Sequence, residues 1–338
     1  MPVPDNHHKQ VFAAPRVTKG FAGSFEMIDV QLRQVQRRIE QVLCTPDENI
    51  GKCLTYLNRS TGKMIRPGLV LLSGRCVGDI RSKHIDLAAM VELIHRASLL
   101  HDDVIDSAHM RRGQETANAL WGNTAAVLLG DFLLSHAFYL GISVQLDKAA
   151  DIMSRTARDL CCGELQQNFQ KGCWDISFEQ YYQLIEAKTA ALFKSSCCLG
   201  AMAGEASAQQ VDDLAQFGRH LGIAFQITDD LLDILGTPSA AGKTLGTDLS
   251  QGKLTLPVIH WVQQDPAKKE MRIALLNDGC DPHTLIGEMT QSGSIDYALL
   301  QVRSHVAQAK EKLAGFQDGD ARQSLCRLAD YVAERLKS

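Results

Sequence analysis

Six aspartates in two matching clusters, His101-Asp102-Asp103-Val104-Ile105-Asp106 and Thr228-Asp229-Asp230-Leu231-Leu232-Asp233, are the residues of this chain best suited to chemistry. Each cluster sits in apolar sequence of helical character, in opposite halves of 338 residues. The first and last aspartates of a cluster are four positions apart, so a helix stacks them one turn apart on one face, with the middle one to the side. Like charges stacked this way cost about 0.2–0.5 kcal/mol per pair, and more beside Leu99, Leu100, Val104 and Ile105. An isolated acid triplet is ordinarily a solvated face with Lys or Arg one turn away, but Ser98, Leu99 and Ile105 take that space here. A positive charge from elsewhere must compensate. Hard divalent cations take oxygen ligands, and Mg²⁺ is typically held by one or two carboxylates plus substrate phosphates. Two clusters facing one another would therefore hold a diphosphate between them through Mg²⁺.

Such a site also needs phosphate-binding cations, and they occur in short motifs. Lys63 and Arg66 are three residues apart in Gly62-Lys63-Met64-Ile65-Arg66-Pro67, near one helical face, and Arg111-Arg112-Gly113 follows the first acid cluster. Lys188-Thr189, Gly242-Lys243 and Gly252-Lys253 come later. Arg offers a planar fork to phosphate oxygens and Lys a compact charge. Any one of them alone reads as solvated surface.

The elements that carry these residues read as helices. All nine prolines lie at or before Pro67 or at or after Pro238, so the long middle stretch contains no proline breaker. From about Ile85 to Asp106, and again from Asn123 to about Ser143, the sequence is apolar nearly all round, as in helices buried in a large helical domain. Amphipathic helices are expected over 149–167, 178–203 and 211–235, and alternating strand patterns are absent. Because both acid clusters must meet across one cavity, the expectation is an all-α fold, a single large helical bundle with a central cavity over 23–338, preceded by a flexible tail at 1–22.

Net charge of −4 and a pI near 6.3 exclude the basic face of a nucleic-acid binder. No uninterrupted apolar run reaches the ~18–20 residues of a membrane span. The ten cysteines have no CxxC spacing, and the adjacent pairs Cys161-Cys162 and Cys197-Cys198 lie in helix-like sequence. That pattern is read as buried thiols in a reduced, cytoplasmic protein.

The ordered set GKMIRP, LLHDDVIDSAHMRRG, GNTAAVLLGDFLL, GELQQ, KTAALF, FQITDDLLD and GKTLGTDLSQGKLTLP, running from about residue 25 to the C-terminus, resembles the trans-isoprenyl diphosphate synthases, or polyprenyl synthetases. The resemblance implies the isoprenoid synthase type of fold, a homodimer and Mg²⁺, three ions per site with diphosphate bound. It implies condensation of isopentenyl diphosphate with an allylic diphosphate primer by ionisation, condensation and elimination. By the same resemblance Asp102, Asp106 and Asp229 are the direct metal ligands, and Asp103, Asp230 and Asp233 act either through metal-bound water or by supporting the direct ligands from behind. Arg111, Lys188, Lys243 and Lys253 hold the allylic diphosphate. Lys63, Arg66, His95 and Arg112 hold isopentenyl diphosphate, and Thr189, Phe225 and Gln226 line the carbocation. Family members often close the site with a basic tail; Arg335 and Lys337 are the residues here that could do so, and solvation is the favoured reading of both.

Relatives that stop at short products usually carry an aromatic ring one turn before the first acid cluster, where this chain has Ala97 and Ser98. An open tunnel is implied, running back along the helix to Ala88, about 20 Å at 1.5 Å per residue. Ile94, Val91 and, on a neighbouring helix, Met153 are candidates for its floor, with ordinary core packing the equal alternative for all three. The expected product is a long all-trans chain of about six to ten isoprene units, octaprenyl the best single value, by that length; a farnesyl or geranylgeranyl diphosphate synthase is the alternative, and a non-catalytic partner subunit is disfavoured by the intact acidic and basic motifs.

Overall fold

The computed structural model of the protein describes residues 22–59, 62–235, 247–279 and 281–336; the expected tail up to residue 21, together with Lys243 and Lys337, lies outside them. The first half contains α1 (Ala22–Phe25), α2 (Asp29–Val42), α3 (Glu48–Arg59), α4 (Ile65–Val77), α5 (Ser82–Ile105), α6 (Ala117–Ser143) and α7 (Ala149–Phe169). Then come α8 (Phe178–Ile185), a π-helical segment (Glu186–Ala190), α9 (Ala191–Ala203) and α10 (Ala208–Leu235). The chain finishes with α11 (Thr247–Ser250), α12 (Leu256–Gln263), α13 (Lys269–Asn277), α14 (Pro282–Gln291), α15 (Ser294–Lys312) and α16 (Asp320–Glu334). The all-α expectation holds, and so do the expected helices to within a few residues.

α5 is the central strut. With neither Gly nor Pro, it buries Leu87 through Ile94, Ala97 and Leu100 and packs on α4, α6, α2 and α9. α4 and α9 cross closely enough that a Cβ on Gly200 would collide with the carbonyl oxygen of Val70, so the crossing requires glycine. α10 joins two apolar clusters. Leu214, Phe217, Leu221 and Ala224 face the core shared with α4, α5 and α9, while Ile223, Ile227, Leu231 and Ile234 face a second core under α8, α12 and α15. The helix carrying the second acid cluster is thereby fixed on both sides.

Three local expectations need correction. A two-stranded antiparallel hairpin, β1 (Met110–Arg111) and β2 (Gln114–Glu115), interrupts the helices after the first acid cluster. Its loop, Arg112-Gly113, has positive φ at both residues (51° and 76°), as a type I′ turn requires. Two-residue strands are too short to show alternation. Secondly, α6 is not buried all round: Val127, Leu128, Phe138, Tyr139 and Ile142 are exposed. By length and composition α6 could cross a membrane, with 39% of its most apolar window buried. Thirdly, among the described cysteines, all free, Cys197 is buried but Cys44, Cys161, Cys162 and Cys173 are exposed, because the Cys161-Cys162 pair lies on an outward and cavity-facing side of α7.

Where α10 meets α15, His220 Nδ1 and His305 Nδ1 lie 3.1 Å apart, one donating to the other. Burial pulls both imidazoles down, His305 to about 4. Folding therefore excludes protons that the unfolded chain accepts near the ordinary value of 6.5. The resulting stabilisation is complete above that value and is lost as pH falls toward 4. His305→Gln, which keeps a hydrogen-bonding side chain, is expected to flatten the fall of Tm between pH 6.5 and 4; an unchanged slope in a melting series would exclude this pair as its source.

Candidate active site

One cavity of about 1230 Å³ is lined by the start of α4, the C-terminal half of α5, the β-hairpin, α7, the π segment, α10 and Arg335. The six aspartates divide around it by their place on the two helices. Asp102 and Asp229 line the cavity, one from each cluster. Asp103 is buried behind the wall and accepts from Arg111 Nε at 2.7 Å. Asp106, at the end of α5, accepts from Lys253 Nζ at 2.9 Å, with Lys171 at 3.9 Å. Asp230 is buried and accepts from Gln226 Nε2 at 2.8 Å and from the Tyr181 hydroxyl at 2.7 Å. Asp233 accepts from the Asp248 amide at 3.0 Å. The compensating cations required by the stacked carboxylates are thus supplied from distant segments.

Burial raises the Asp102 carboxyl to about 6; Lys188 beside it opposes the rise and Glu164 adds to it. Burial likewise raises Asp229, against Arg335, whose guanidinium lies 2.7 Å away. Asp230 reaches about 7 through burial and the charge of Asp248, held back by its two hydrogen-bond donors. For Lys188 burial acts downward, but Asp102 and Glu164 outweigh it and the ammonium is held above its ordinary value. These carboxylates sit in a low-dielectric pocket where a cation is worth more than in water.

Lys188 projects from the π segment, ion-paired with Glu164 at 2.5 Å and bonded to Gln167. Gly163 lets the π segment lie against α7, since a Cβ there would stand 2.7 Å from the Lys188 backbone nitrogen. π-helical turns often mark functional sites. This one brings Lys188 and Thr189 together on the cavity wall.

A second basic group lies in the same cavity. Lys63, Arg66, His95 and Arg112 all line it, from α4 and its entry, α5 and the hairpin tip. Arg66 stacks 4.8 Å over Phe193, its Nε buried and without a hydrogen-bond partner among the described residues, and burial lowers its guanidinium to about 10. Burial and the neighbouring Arg66 and Arg112 push His95 well below its ordinary value, so it is neutral. Arg112 sits at positive φ, the strained tip of the hairpin, and a Cβ on Gly62 would lie 3.1 Å from its guanidinium. Thr189, Phe225 and Gln226 line the same cavity.

The structure does not bring every expected residue to this cavity. Asp106 and Lys253 bond each other outside its lining, because Asp106 caps α5 where the chain turns away. Of the four residues assigned to chain length, Ser98 lines the cavity, while Ala97, Ile94 and Met153 are buried in the packed core. The apolar wall continues instead through Leu99, Ile105, Leu160, Cys161 and Leu165. Arg335 is not solvated: it pairs with Asp229 and stacks 4.9 Å over Phe225. Glu164, Gln167 and Tyr181 were not singled out, although GELQQ carries the first two; Tyr181 has no signal in sequence beyond being an aromatic on a helix.

Residues 47–285 match the model of the polyprenyl synthetase family. The chain belongs to that family. A short-chain isoprenyl diphosphate synthase of Methanothermobacter thermautotrophicus is 35% identical over 320 residues, 92% of this chain and 96% of that protein. The octaprenyl diphosphate synthase of Escherichia coli is 36% identical over 285 residues, covering 83% and 88% respectively. A crystal structure of a polyprenyl synthase from Caulobacter crescentus, complexed with calcium and isoprenyl diphosphate, superposes with a TM-score of 0.87 at 31% identity, covering 93% of this chain and 98% of that one. The chain is accordingly a trans-prenyl diphosphate synthase by family, a prenyltransferase with the all-α isoprenoid synthase fold. Its relatives span short and long products.

Proposed function

We propose that this polyprenyl synthetase condenses isopentenyl diphosphate with an allylic diphosphate primer, in a Mg²⁺-dependent reaction, to give a long-chain all-trans polyprenyl diphosphate, octaprenyl being the central expectation. The observation that carries the reading is the pairing, in one cavity, of the acidic walls at Asp102 and Asp229 with a separate basic group of Lys63, Arg66, His95 and Arg112. Two diphosphates need two different sites, and a cavity with one metal-type wall and one cationic wall fits one of each.

The donor set suits Mg²⁺. It presents two hard carboxylates, Asp102 and Asp229, to one cavity, the kind of donors an ion takes when it keeps its waters and binds phosphate oxygens. Asp102 and Asp229 would hold it from the cavity walls, with Asp106 reachable from the same helix as Asp102 once Lys253 turns to phosphate. Held by these residues, Mg²⁺ would supply neutralisation of charge on the departing diphosphate. Lys188 and Arg111 line the same wall and stabilise that charge directly. The wall of Leu99, Ile105 and Phe225 keeps water from the cation. Arg66, Arg112 and Lys63 orient the second diphosphate so that its double bond meets the allylic carbon, and neutral His95 donates a hydrogen bond to it. No side chain is required as base, since the released diphosphate can take the proton.

The exposed apolar face of α6 is assigned to a homodimer contact, and the cytoplasm to the location. A short product is the second reading, supported by the burial of Ile94 and Met153 outside the cavity. The test is to incubate purified protein with Mg²⁺, isopentenyl diphosphate and farnesyl diphosphate and to weigh the dephosphorylated products. A dominant chain of about six or more units, the length argued from the helix, supports the long-chain reading. Stopping at four selects the second, and no elongation with any allylic primer removes both.

A further inference from the structure

We infer that Tyr181 is a positioning residue for the cation chemistry: through Asp230 and Gln226 it fixes which way the Thr189 hydroxyl points. The inference rests on the prenyl-transfer reading above. Four side chains from three segments, α8, the π segment and α10, form one hydrogen-bonded row. Tyr181, fully buried on α8, donates to Asp230 Oδ2 at 2.7 Å. Gln226 Nε2 donates to Asp230 Oδ1 at 2.8 Å. Thr189 Oγ1 donates to Gln226 Oε1 at 2.6 Å. Tyr181 and Asp230 stand behind the wall, whereas Gln226 and Thr189 form it.

The row has a polarity, and it is set from the buried end. Asp230 accepts through both oxygens, Oδ2 from the Tyr181 hydroxyl and Oδ1 from Gln226 Nε2, so Gln226 turns its amide nitrogen inward. The amide oxygen of Gln226 then faces Thr189 and is already engaged. With that acceptor beside it, the Thr189 hydrogen is drawn to Gln226, and the hydroxyl presents oxygen lone pairs to the cavity. A carbocation is stabilised by lone pairs and repelled by a hydroxyl hydrogen, so this polarity matters to ionisation and has little bearing on diphosphate binding. Gln226, which alone would be taken as the dipole facing the cation, instead relays the orientation. Tyr181 secures the end of the row: it occupies the second carboxylate oxygen, so that Asp230 stays turned to Gln226. Burial makes the row costly to leave half-satisfied, which is why one hydroxyl at its far end has leverage.

Tyr181→Phe keeps the ring and its packing and removes the hydroxyl. The full-length variant is expected to lose about tenfold in kcat, equivalent to one hydrogen bond's worth of barrier, with the KM for both diphosphates within about twofold. Thr189→Val, an isosteric change that removes the acceptor, should also lower kcat. The deciding measurement is the double variant: if Tyr181 acts through Thr189, Tyr181→Phe has no further effect on kcat in the Thr189→Val background. Multiplying effects in the double variant would overturn the relay, as would a Tyr181→Phe enzyme with lower Tm but unchanged kcat. An unchanged kcat for Thr189→Val would overturn it independently of how Tyr181→Phe folds. Failure of the prenyl-transfer reading itself is distinct, because the wild-type protein would then form no elongated product.

Discussion

Asp102→Asn is expected to lower kcat by about 10²–10³, the range seen when one preorganised electrostatic contact to developing charge is removed. Asp102 lines the cavity and is the first carboxylate of its cluster to do so, since Asp103 and Asp106 are engaged by Arg111 and Lys253. Burial holds its carboxyl near 6, so it enters the reaction as a poorly solvated anion for which a divalent cation is the natural partner. Asparagine keeps the shape and one oxygen but loses the charge. Of the isopentenyl site only His95 shares α5 with Asp102, seven positions earlier, while Lys63, Arg66 and Arg112 come from other segments, so its KM should change little. Diphosphate release at saturating Mg²⁺ reads kcat, and titration of isopentenyl diphosphate reads KM. A variant with wild-type kcat would remove Asp102 from the metal site; a rise confined to the isopentenyl KM would mean that the two diphosphate sites are assigned the wrong way round.

Ser98→Phe is expected to shift the dominant product below about six isoprene units by filling the apolar part of the cavity with a ring. Reading the sequence alone places the same ring equally well at Ala97. The structure separates the two. Ala97 is fully buried in the core, where a ring would overpack α5 by roughly 1–3 kcal/mol and confuse misfolding with a shortened product. Ser98 is half-buried on the cavity wall, with its hydroxyl donated to the His95 carbonyl at 2.9 Å, so a larger side chain there projects into space that substrate uses. Mass spectrometry of the dephosphorylated products decides the matter. Products of wild-type length from a stably folded Ser98→Phe would rule out growth past this turn of α5 and redirect attention to Leu160, Cys161 and Leu165 on α7.

Much of this protein is written in local sequence. Helical spacing alone requires that Asp102 and Asp106, and likewise Asp229 and Asp233, share a helix face and that cations come from outside the cluster, because the repulsion is local and periodic. The order of seven motifs carries the family, and the run from Ile85 to Asp106 carries the buried strut, because a helix apolar on all sides has nowhere else to go. Other features depend on contacts between residues far apart in the chain. Which aspartate of each cluster reaches the cavity is decided by Lys253 and Tyr181, 147 and 49 residues away from Asp106 and Asp230, and by Arg111 on the hairpin that folds back against Asp103. Arg335 is a basic residue near the C-terminus until α16 packs back and sets it against Asp229, 2.7 Å away. The hairpin that presents Arg112 escapes detection because its strands are two residues long. Helix periodicity determines which residues share a face, but long-range packing determines which of them is left to meet a substrate, since a hydrogen bond or ion pair from a distant segment can engage a carboxylate that local spacing would leave free.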